Sequence, residues 1–367
     1  MKRKREIIVL SFIAAVMLSI GNTKADFTFG EPTPVPNVSS ESADTYVHIA
    51  ADGLSLYITS QRPGGYGDRD FWVAERPTKD DKWGTPVNLG PKVNSEGWDA
   101  HASISTDNLT LYFYGWYGRP GGYSGADLWV STRETTEDDW GEAVRLGPPF
   151  NGPGNEWTPN ISDDNLSLYF ACDLRGGSGG CDMFVSTRET TQDEWGTPVN
   201  LGSTVNWSYW DFKADPSADG RTLFFTRIKD TSDDYDIWMT RRATIHDDWG
   251  TPVPLPINTS YDDASTSISA DGSTLYFVST RPPTPDCDIW QVSIEPVVDL
   301  NGDGIVDAVD MCIIVDHWGE NYPLCDIGPT PLGDGIVDVQ DLIVLAEHLF
   351  EEFPPAVLGT PSGEPIE

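Results

Sequence analysis

The chain has 367 residues, of which 58 are acidic and 23 are basic, and its formal net charge is −35. So large an excess of carboxylates repels the phosphates of nucleic acids and of anionic membranes, which excludes both as partners. Neutral ligands and cations remain.

Residues 1–25 have the pattern of a secretory signal peptide. Basic residues follow Met1, an apolar run extends from Ile7 to Ile20, and small residues close the segment at Ala25. No later stretch is long and apolar enough to span a bilayer, so we expect no transmembrane segment. The sequence therefore predicts a secreted protein, located outside the cell or at its surface.

Residues 26–296 repeat one pattern about every 55 residues. Each copy alternates apolar and polar residues and carries an Asp-Gly or Asp-Asn turn, which is typical of β-hairpins. Four copies share a Trp-Gly dipeptide, whose aromatic ring we expect to be structural: Trp83, Trp140, Trp195 and Trp249. Repeats of four short strands predict an all-β fold, a five-bladed β-propeller, which we expect to be monomeric.

The fifth copy ends before it reaches a Trp-Gly dipeptide. The segment from Phe29 to Ser40 aligns without gaps with the segment from Trp249 to Ser260. We therefore expect an N-terminal strand to complete the last blade and close the ring.

These repeats resemble the WD-like repeats of TolB-like and other exported bacterial propellers. The resemblance covers residues 26–296 and rests on the motifs ISADGSTLYF, STR and DIW. It implies the propeller fold but no particular activity, because propellers carry unrelated functions.

One acidic residue stands at the start of the first strand of every copy: Asp44, Asp99, Glu156, Asp211 and Asp263. Five-fold repetition predicts a ring of carboxylates around one mouth of the central tunnel, where they would bind a ligand. The structural alternative is that each acid bonds backbone N–H groups or an arginine of a neighbouring blade. Each copy does contain an arginine, but its sequence spacing favours pairing with the aspartate that opens the third strand.

A catalytic alternative also follows from this ring. Carboxylates that converge cannot all ionise cheaply, so they would hold a cation or retain a proton. Five-bladed propellers include glycoside hydrolases that use carboxylates at the tunnel mouth, which makes Glu156, Asp99 and Asp211 the candidate catalytic residues. No HExxH motif is present, and no serine lies in a GxSxG nucleophile elbow, the turn that leads from a strand into a helix. The sequence thus leaves open whether the chain is an enzyme and favours binding.

Aromatic residues crowd the same predicted mouth. Trp98, Trp157 and Trp210 are the principal candidates, with Tyr46, Tyr209, Phe212 and Tyr261 nearby. Flat rings beside carboxylates suit the apolar face and the hydroxyl edge of a sugar. The sequence therefore predicts a propeller that binds a polysaccharide or glycan; the alternatives are a polysaccharide-degrading hydrolase and a protein-binding scaffold.

Five cysteines are present, and export permits disulfides. Cys172 and Cys181 flank one hairpin turn, and Cys312 and Cys325 flank a connection near the C-terminus, so these are the two expected bridges. Cys287 is left as a free thiol.

The pattern changes after Pro296. The segment from Asp299 to Asp310 has the oxygen-ligand spacing of a calcium loop with its turn glycine at Gly304. A second, related loop ends at Asp341, and an apolar helical segment follows each loop. Residues 351–367 read as a flexible tail.

Two such loops closed by Asp resemble the dockerin module, which attaches secreted polysaccharide-degrading proteins to cohesin scaffolds. The resemblance covers residues 297–350 and implies calcium as the bound ion and a cohesin-like protein as the partner. In the first loop it implies these ligands: Asp299, Asn301, Asp303, the carbonyl of Ile305, Asp307 and Asp310. In the second loop, which departs from the pattern at Thr330 and Leu332, it implies Asp334, Asp338 and Asp341, with Asp326 entering after an insertion.

Overall fold

The computed structural model describes residues 27–116, 118–122, 125–228, 235–282 and 286–352. The predicted signal peptide (1–25) and most of the predicted tail (353–367) lie outside the described residues. The chain forms two compact units, with a division between Ile294 and Glu295.

Four consecutive antiparallel sheets of four strands make up the first four blades, in which each strand pairs with the next along the chain. Blade 1 contains β3 (Asp44–Ile49), β4 (Ser55–Ser60), β5 (Asp70–Glu75) and β6 (Val87–Asn88). Blade 2 contains β7 (Trp98–Ile104), β8 (Thr110–Trp116), β9 (Asp127–Thr132) and β10 (Val144–Arg145). Blade 3 contains β11 (Glu156–Ile161), β12 (Ser167–Cys172), β13 (Asp182–Thr187) and β14 (Val199–Asn200). Blade 4 contains β15 (Trp210–Pro216), β16 (Thr222–Ile228), β17 (Tyr235–Arg241) and β18 (Val253–Pro254).

Blade 5 is assembled from both ends of the propeller sequence. Its C-terminal part contains β19 (Asp263–Ile268), β20 (Thr274–Ser279) and β21 (Asp288–Pro296). Two N-terminal strands, β1 (Phe27–Phe29) and β2 (Thr33–Pro34), pair with β21, and Thr33 lies opposite Gln291. Val35 and Val38, just after β2, are buried in the core between blades 5 and 1. The all-β five-bladed fold and its closure by an N-terminal strand are therefore confirmed.

The Trp-Gly residues have a structural role, as expected. The rings of Trp83, Trp140 and Trp249 are buried. A guanidinium from the end of the third strand lies over each ring, for example Arg76 at 4.2 Å from the centroid of Trp83. Cation–π stacking at a buried ring contributes about 1–2 kcal/mol, so this recurring pair fixes the outer edge of each blade.

The unit that begins at Glu295 is small and contains two helices, α1 (Ala308–Asp316) and α2 (Val339–Glu347). Asp307 and Asp338 cap their N-termini in matching capping boxes. A compact apolar core includes Val306, Ile314 and Leu345. The two predicted helical segments are therefore confirmed. Within the described residues, neither helix has the length and apolar character needed to cross a membrane.

Candidate functional site

One end of the propeller axis opens into two adjoining cavities of 280 and 210 Å³. Tyr46, Phe212 and Tyr235 line both cavities, and residues of all five blades contribute to their walls. The blades converge only at the axis, so these cavities form the mouth of the tunnel. Below, "the mouth" means the residues that line these two cavities.

Tryptophan and tyrosine rings form most of the wall of the larger cavity. Trp157 contacts Trp116 on one side, with ring centroids 6.5 Å apart, and Trp210 on the other, at 5.7 Å. Across the cavity, the Tyr114 hydroxyl donates a hydrogen bond of 3.1 Å to the Tyr46 hydroxyl. The mouth therefore combines flat apolar surfaces with hydroxyl groups.

The structure places the three predicted tryptophans differently. Trp157 and Trp210 line the larger cavity, and Trp210 is 44% exposed. Trp98 lies behind them: its ring packs edge-on against Trp116 at 5.5 Å and is covered by the Arg69 guanidinium at 4.4 Å. Trp98 is thus a supporting residue and does not line either cavity.

The five first-strand acids do not form an open ring at the mouth, which corrects the prediction. Each is fully buried within its blade: Asp44, Asp99, Glu156, Asp211 and Asp263. Each forms an ion pair with the arginine that follows the second strand of the same blade, at 2.8 Å for Asp44–Arg62 and 2.6 Å for Asp211–Arg227. A carboxylate without solvent exposure cannot contact a ligand in this structure. The structural alternative therefore holds in that each acid is paired, but its arginine belongs to the same blade and not, as expected, to a neighbouring one.

The expected pairing of those arginines with the third-strand aspartates is also wrong, as blades 1 and 3 show. Asp70 accepts hydrogen bonds from the backbone N–H groups of Tyr66 and Gly67 and from Asn88. Asp182 accepts an equivalent set in blade 3. These aspartates therefore hold the glycine-rich loops in place.

Glu156 departs from the other members of the ring. Its Oε1 atom lies 3.7 Å from Arg175 and accepts a hydrogen bond of 3.2 Å from Gly152 N–H, while Oε2 is buried with no hydrogen-bond partner. Burial raises the pKa of Glu156 to about 7, against the opposing effects of Gly152 and Arg175. Such a carboxyl group could act as an acid, but Glu156, Asp99 and Asp211 all lie inside the blades, away from the mouth cavities.

Asp262 is the carboxylate that lines the mouth among the residues that the structure describes. A glycoside hydrolase of the usual kind places two carboxylates about 5–10 Å apart around the scissile bond. The second carboxylate of such a pair is not among the described residues that line the mouth.

Polar residues of the first strands also fill the axis beneath the mouth. Ser103 Oγ donates to Asn160, and Asn160 Nδ2 donates to Asp215, each at 2.9 Å. Ile268 N–H donates to the other Asp215 oxygen at 2.8 Å, and these bonds connect blades 2 to 5. Their burial and linkage make this column a structural spine beyond the reach of a ligand in the mouth.

Two of the axial side chains carry unusual electrostatics. Burial lowers the pKa of Lys213 to about 8 and that of His48 to about 3. His101 and Lys213 adopt left-handed backbone conformations, with φ of 56° and 59°, at bulges in their strands. These bulges turn successive side chains toward the axis.

Sequence reasoning missed a further set of mouth residues. They stand one position before a third-strand aspartate and line the mouth in four blades: Arg69, Cys181, Tyr235 and Cys287. Ala126 holds the equivalent position in blade 2 but lines neither cavity. Where the hydrogen bond is resolved, the carbonyl of such a residue accepts from the amide of the next blade's buried acid, as Arg69 does from Asp99 at 3.0 Å. The available signal was their variability in an otherwise regular repeat.

All five cysteines are free in the structure, which corrects both predicted disulfides. Cys172 lies opposite Asp182 in the strand register, so the preceding residue, Cys181, points to the other face of the sheet. Cys312 is exposed on α1, whereas Cys325 is buried in the core of the small unit. Neither pair therefore faces across a common gap.

The two predicted calcium loops share one hydrogen-bond pattern. Asp299 accepts from the backbone N–H groups of Asp303 and Gly304, and Asp326 accepts from those of Asp334 and Gly335. Asp310 and Asp341 each accept from two amides at the start of their own loop. The equivalence places Asp326 at the first position of the second loop.

The loops supply oxygen atoms, the donors that calcium prefers. Among the described residues, however, no group of three or more His, Cys, Asp or Glu side chains has the geometry of a metal site. Calcium binding therefore stays a prediction.

A third cavity, separate from the mouth, has a volume of 430 Å³ and lies at the seam of blades 5 and 1. Polar side chains dominate its wall, including Lys79 and Asp271, which form a surface ion pair of 2.9 Å. It lacks the cluster of rings found at the axis, so the mouth is the better candidate site.

No protein-family model matches the sequence, and the search of curated proteins gave no match. Solved structures with a similar arrangement include the catalytic domain of a GH62 alpha-L-arabinofuranosidase from Coprinopsis cinerea, at 10% identity and a TM-score of 0.44, covering 74% of this chain and 97% of that one. A family 117 glycoside hydrolase from the marine bacterium Zobellia galactanivorans is similar at 12% identity and a TM-score of 0.46, with coverages of 73% and 90%. An alpha-L-arabinofuranosidase from Lactobacillus brevis is similar at 13% identity and a TM-score of 0.46, covering 71% of this chain and 92% of that one. Likenesses this distant carry no argument about what this chain binds.

Proposed function

We propose that this chain is an exported carbohydrate-binding propeller whose ligand lies in the mouth. The observation that carries the proposal is the wall of the larger cavity, where Trp116, Trp157 and Trp210 are in ring contact beside the hydroxyls of Tyr46 and Tyr114. A sugar ring stacks its apolar face on such rings and directs its hydroxyls to polar groups.

The size of the mouth agrees with a saccharide. Small-molecule pockets span roughly 300–1,000 Å³, and the larger cavity, at 280 Å³, lies just below this range. The smaller cavity continues from it past Tyr46 and Phe212. Two adjoining subsites of this kind suit neighbouring units of an oligosaccharide.

The first prediction tests the mouth directly. Trp157→Ala and Trp210→Ala should each weaken retention on a polysaccharide that the wild type binds by about tenfold, because stacking on an aromatic ring contributes about 1–2 kcal/mol. The measurement is affinity electrophoresis of the full chain against a panel of polysaccharides. Trp318→Ala, an exposed tryptophan outside the propeller, is the matched control.

The same panel separates the alternatives. Unchanged retention in both mouth variants would place the ligand elsewhere. Release of reducing ends by the wild type, lost in Glu156→Gln, would favour the hydrolase, and an absence of both retention and release would favour a protein-binding scaffold.

We further propose that the small unit is a dockerin-like calcium module that attaches the propeller to a cohesin-like scaffold. The equivalent hydrogen bonds of Asp299 and Asp326 and the matching capping boxes of α1 and α2 support two related loops. If calcium binds there, the ion neutralises carboxylates that otherwise repel one another.

The second prediction concerns this ion. Asp303→Asn should weaken calcium binding by about tenfold or more, since affinity follows the number of charged ligands. Isothermal titration calorimetry of the full chain with calcium chloride measures the effect. The control is Asp316→Asn, an exposed change on α1 outside the predicted ligand set. Equal affinities for both variants, or no binding by the wild type, would refute the calcium module.

A further inference from the structure

Arg69 occupies a distinct position at the mouth. It lines the smaller cavity with Tyr46, Phe212, Tyr235 and Asp262. Its guanidinium lies 4.4 Å from the Trp98 ring centroid, and its own carbonyl is held by the Asp99 amide. Backbone and side chain are thus both fixed, which leaves the guanidinium at the cavity wall.

In the described part of the chain, Arg69 forms no ion pair or side-chain hydrogen bond, and its Nε atom is buried without a partner. The arginines of the blade interiors are different. Arg227, for example, donates to Asp211 at 2.6 Å and also to the Val205 carbonyl. Arg69 therefore brings to the mouth a positive charge that is not engaged in an ion pair, although the Asp262 carboxylate lines the same cavity.

The charge of Arg69 acts on the cavity wall. It opposes the effect of burial, which raises the pKa of Tyr46, and it acts in the same direction on the pKa of Tyr114 and of Cys287. These residues come from three different blades, so the charge of Arg69 acts at several points of the wall, and at Cys287 the Asp262 carboxylate opposes it.

We propose that Arg69 selects an acidic saccharide by binding an anionic substituent, a carboxylate or a sulfate ester. The inference rests on the proposed binding of carbohydrate at the mouth and names the class of that ligand. A guanidinium presents its donors in a planar fork that matches two oxygens of a carboxylate or sulfate. Stacking on Trp98 holds that plane before the ligand arrives.

The rest of the chain makes this charge more significant. The net charge of −35 repels polyanions in general, so a polyanion is retained only where a local cation and specific contacts overcome the repulsion. Asp262, in the same cavity, can accept hydrogen bonds from sugar hydroxyls but repels an anionic substituent. The two side chains together direct the anion toward Arg69 and the hydroxyls toward Asp262.

The test compares matched ligands on the full-length protein. The probes are an oligogalacturonate, its fully methyl-esterified and therefore neutral form, and a sulfated galactan oligosaccharide, each titrated by calorimetry. Arg69→Met keeps an apolar stem over Trp98 and removes the charge, and Arg69→Lys keeps the charge but loses the fork. Arg76→Met, at a cationic residue away from the mouth, is the control.

We expect the wild type to bind at least one anionic probe about tenfold or more tightly than the neutral ester, because charge-assisted bidentate bonds are about twice as strong as neutral ones. Arg69→Met should remove this preference and leave the affinity for the neutral ester unchanged, and Arg69→Lys should retain part of it. Preference for the uronate or for the sulfate identifies the anion.

Equal binding of neutral and anionic probes by the wild type would overturn the role of Arg69 and leave carbohydrate binding standing. An equal loss for all probes in Arg69→Met would show that Arg69 only supports Trp98, and would overturn the proposal too. Absence of binding for every probe and for the wider panel would remove the carbohydrate function and this inference with it.

Discussion

The buried acids open the first strands, and the positions before the third-strand aspartates lie beside them in space, joined by backbone hydrogen bonds such as that from Asp99 N–H to the Arg69 carbonyl. The two sets nevertheless behave differently across the five blades. Each acid is paired with an arginine of its own blade, so one arrangement recurs around the ring. The positions before the third-strand aspartates carry Arg69, Ala126, Cys181, Tyr235 and Cys287, and all of these except Ala126 line the mouth. The comparison indicates that the regular positions build the propeller, whereas the positions that vary create one asymmetric surface at its axis.

This difference leads to distinct expectations for substitutions. A change to the regular framework should reduce the free energy of unfolding, because it disturbs contacts that each blade needs. A change at the mouth should mainly alter binding, because exposed rings contribute little to the core. The following predictions start with the largest expected effect on stability.

The third prediction concerns ring closure, the part of the framework that joins the two chain ends. Deletion of residues 27–40 removes β1, β2 and the buried Val35 and Val38. Loss of these two valines alone should cost about 3–6 kcal/mol, and β21 would be left with an unpaired edge. Urea denaturation and size-exclusion chromatography should show a destabilised, self-associating protein. A monomer of unchanged stability would contradict closure.

The fourth prediction concerns a single acid of the framework. Asp211→Asn leaves the Arg227 guanidinium buried without its counter-charge, and removal of one member of a buried pair costs about 3–5 kcal/mol. Lys79→Gln is the control, because Lys79 pairs with Asp271 at the surface, where such pairs contribute about 0–1 kcal/mol. Denaturant midpoints of the two variants should differ clearly. Similar values would mean that the buried ring is not essential for stability.

The sequence predicted the framework well because strand periodicity, hairpin turns and the Trp-Gly repeat are local signals. It placed the acids wrongly because a period of two shows which side chains share a face but does not show whether that face is covered. In a propeller, neighbouring blades cover both faces. Arg62 was assigned to Asp70 by closeness in sequence, whereas the register places Ser60 opposite Asp44 and so brings Arg62 to Asp44.

The mouth was predicted only in part for a related reason. Trp157 and Trp210 could be identified because they flank the first-strand acids, and both line the larger cavity. Arg69 and Tyr235 come from third strands, and only the assembled ring brings them to the axis. The cysteine pairs failed because flanking a turn does not specify the face on which a side chain lies.

The last prediction addresses Glu156, the member of the buried ring that departs from the others. Its pKa is raised by burial to about 7, above the ordinary value of 4.5. The folded state therefore binds a proton more tightly than the unfolded state does. The protonated carboxyl is present in both states below about pH 4.5, and the stability that this group contributes is lost as the pH rises through 7.

The size of this loss follows from the shift between the two values. At 1.36 kcal/mol per pKa unit, the wild type should lose up to about 3 kcal/mol relative to Glu156→Gln between pH 4.5 and pH 8. The comparison with the variant is needed because His48 and Asp215, which also have shifted pKa values, titrate in both proteins. Urea denaturation at several pH values measures the difference, with exposed Glu137→Gln as the control. A difference that does not change with pH would show that Glu156 is held ionised by Arg175, like a regular member of the ring.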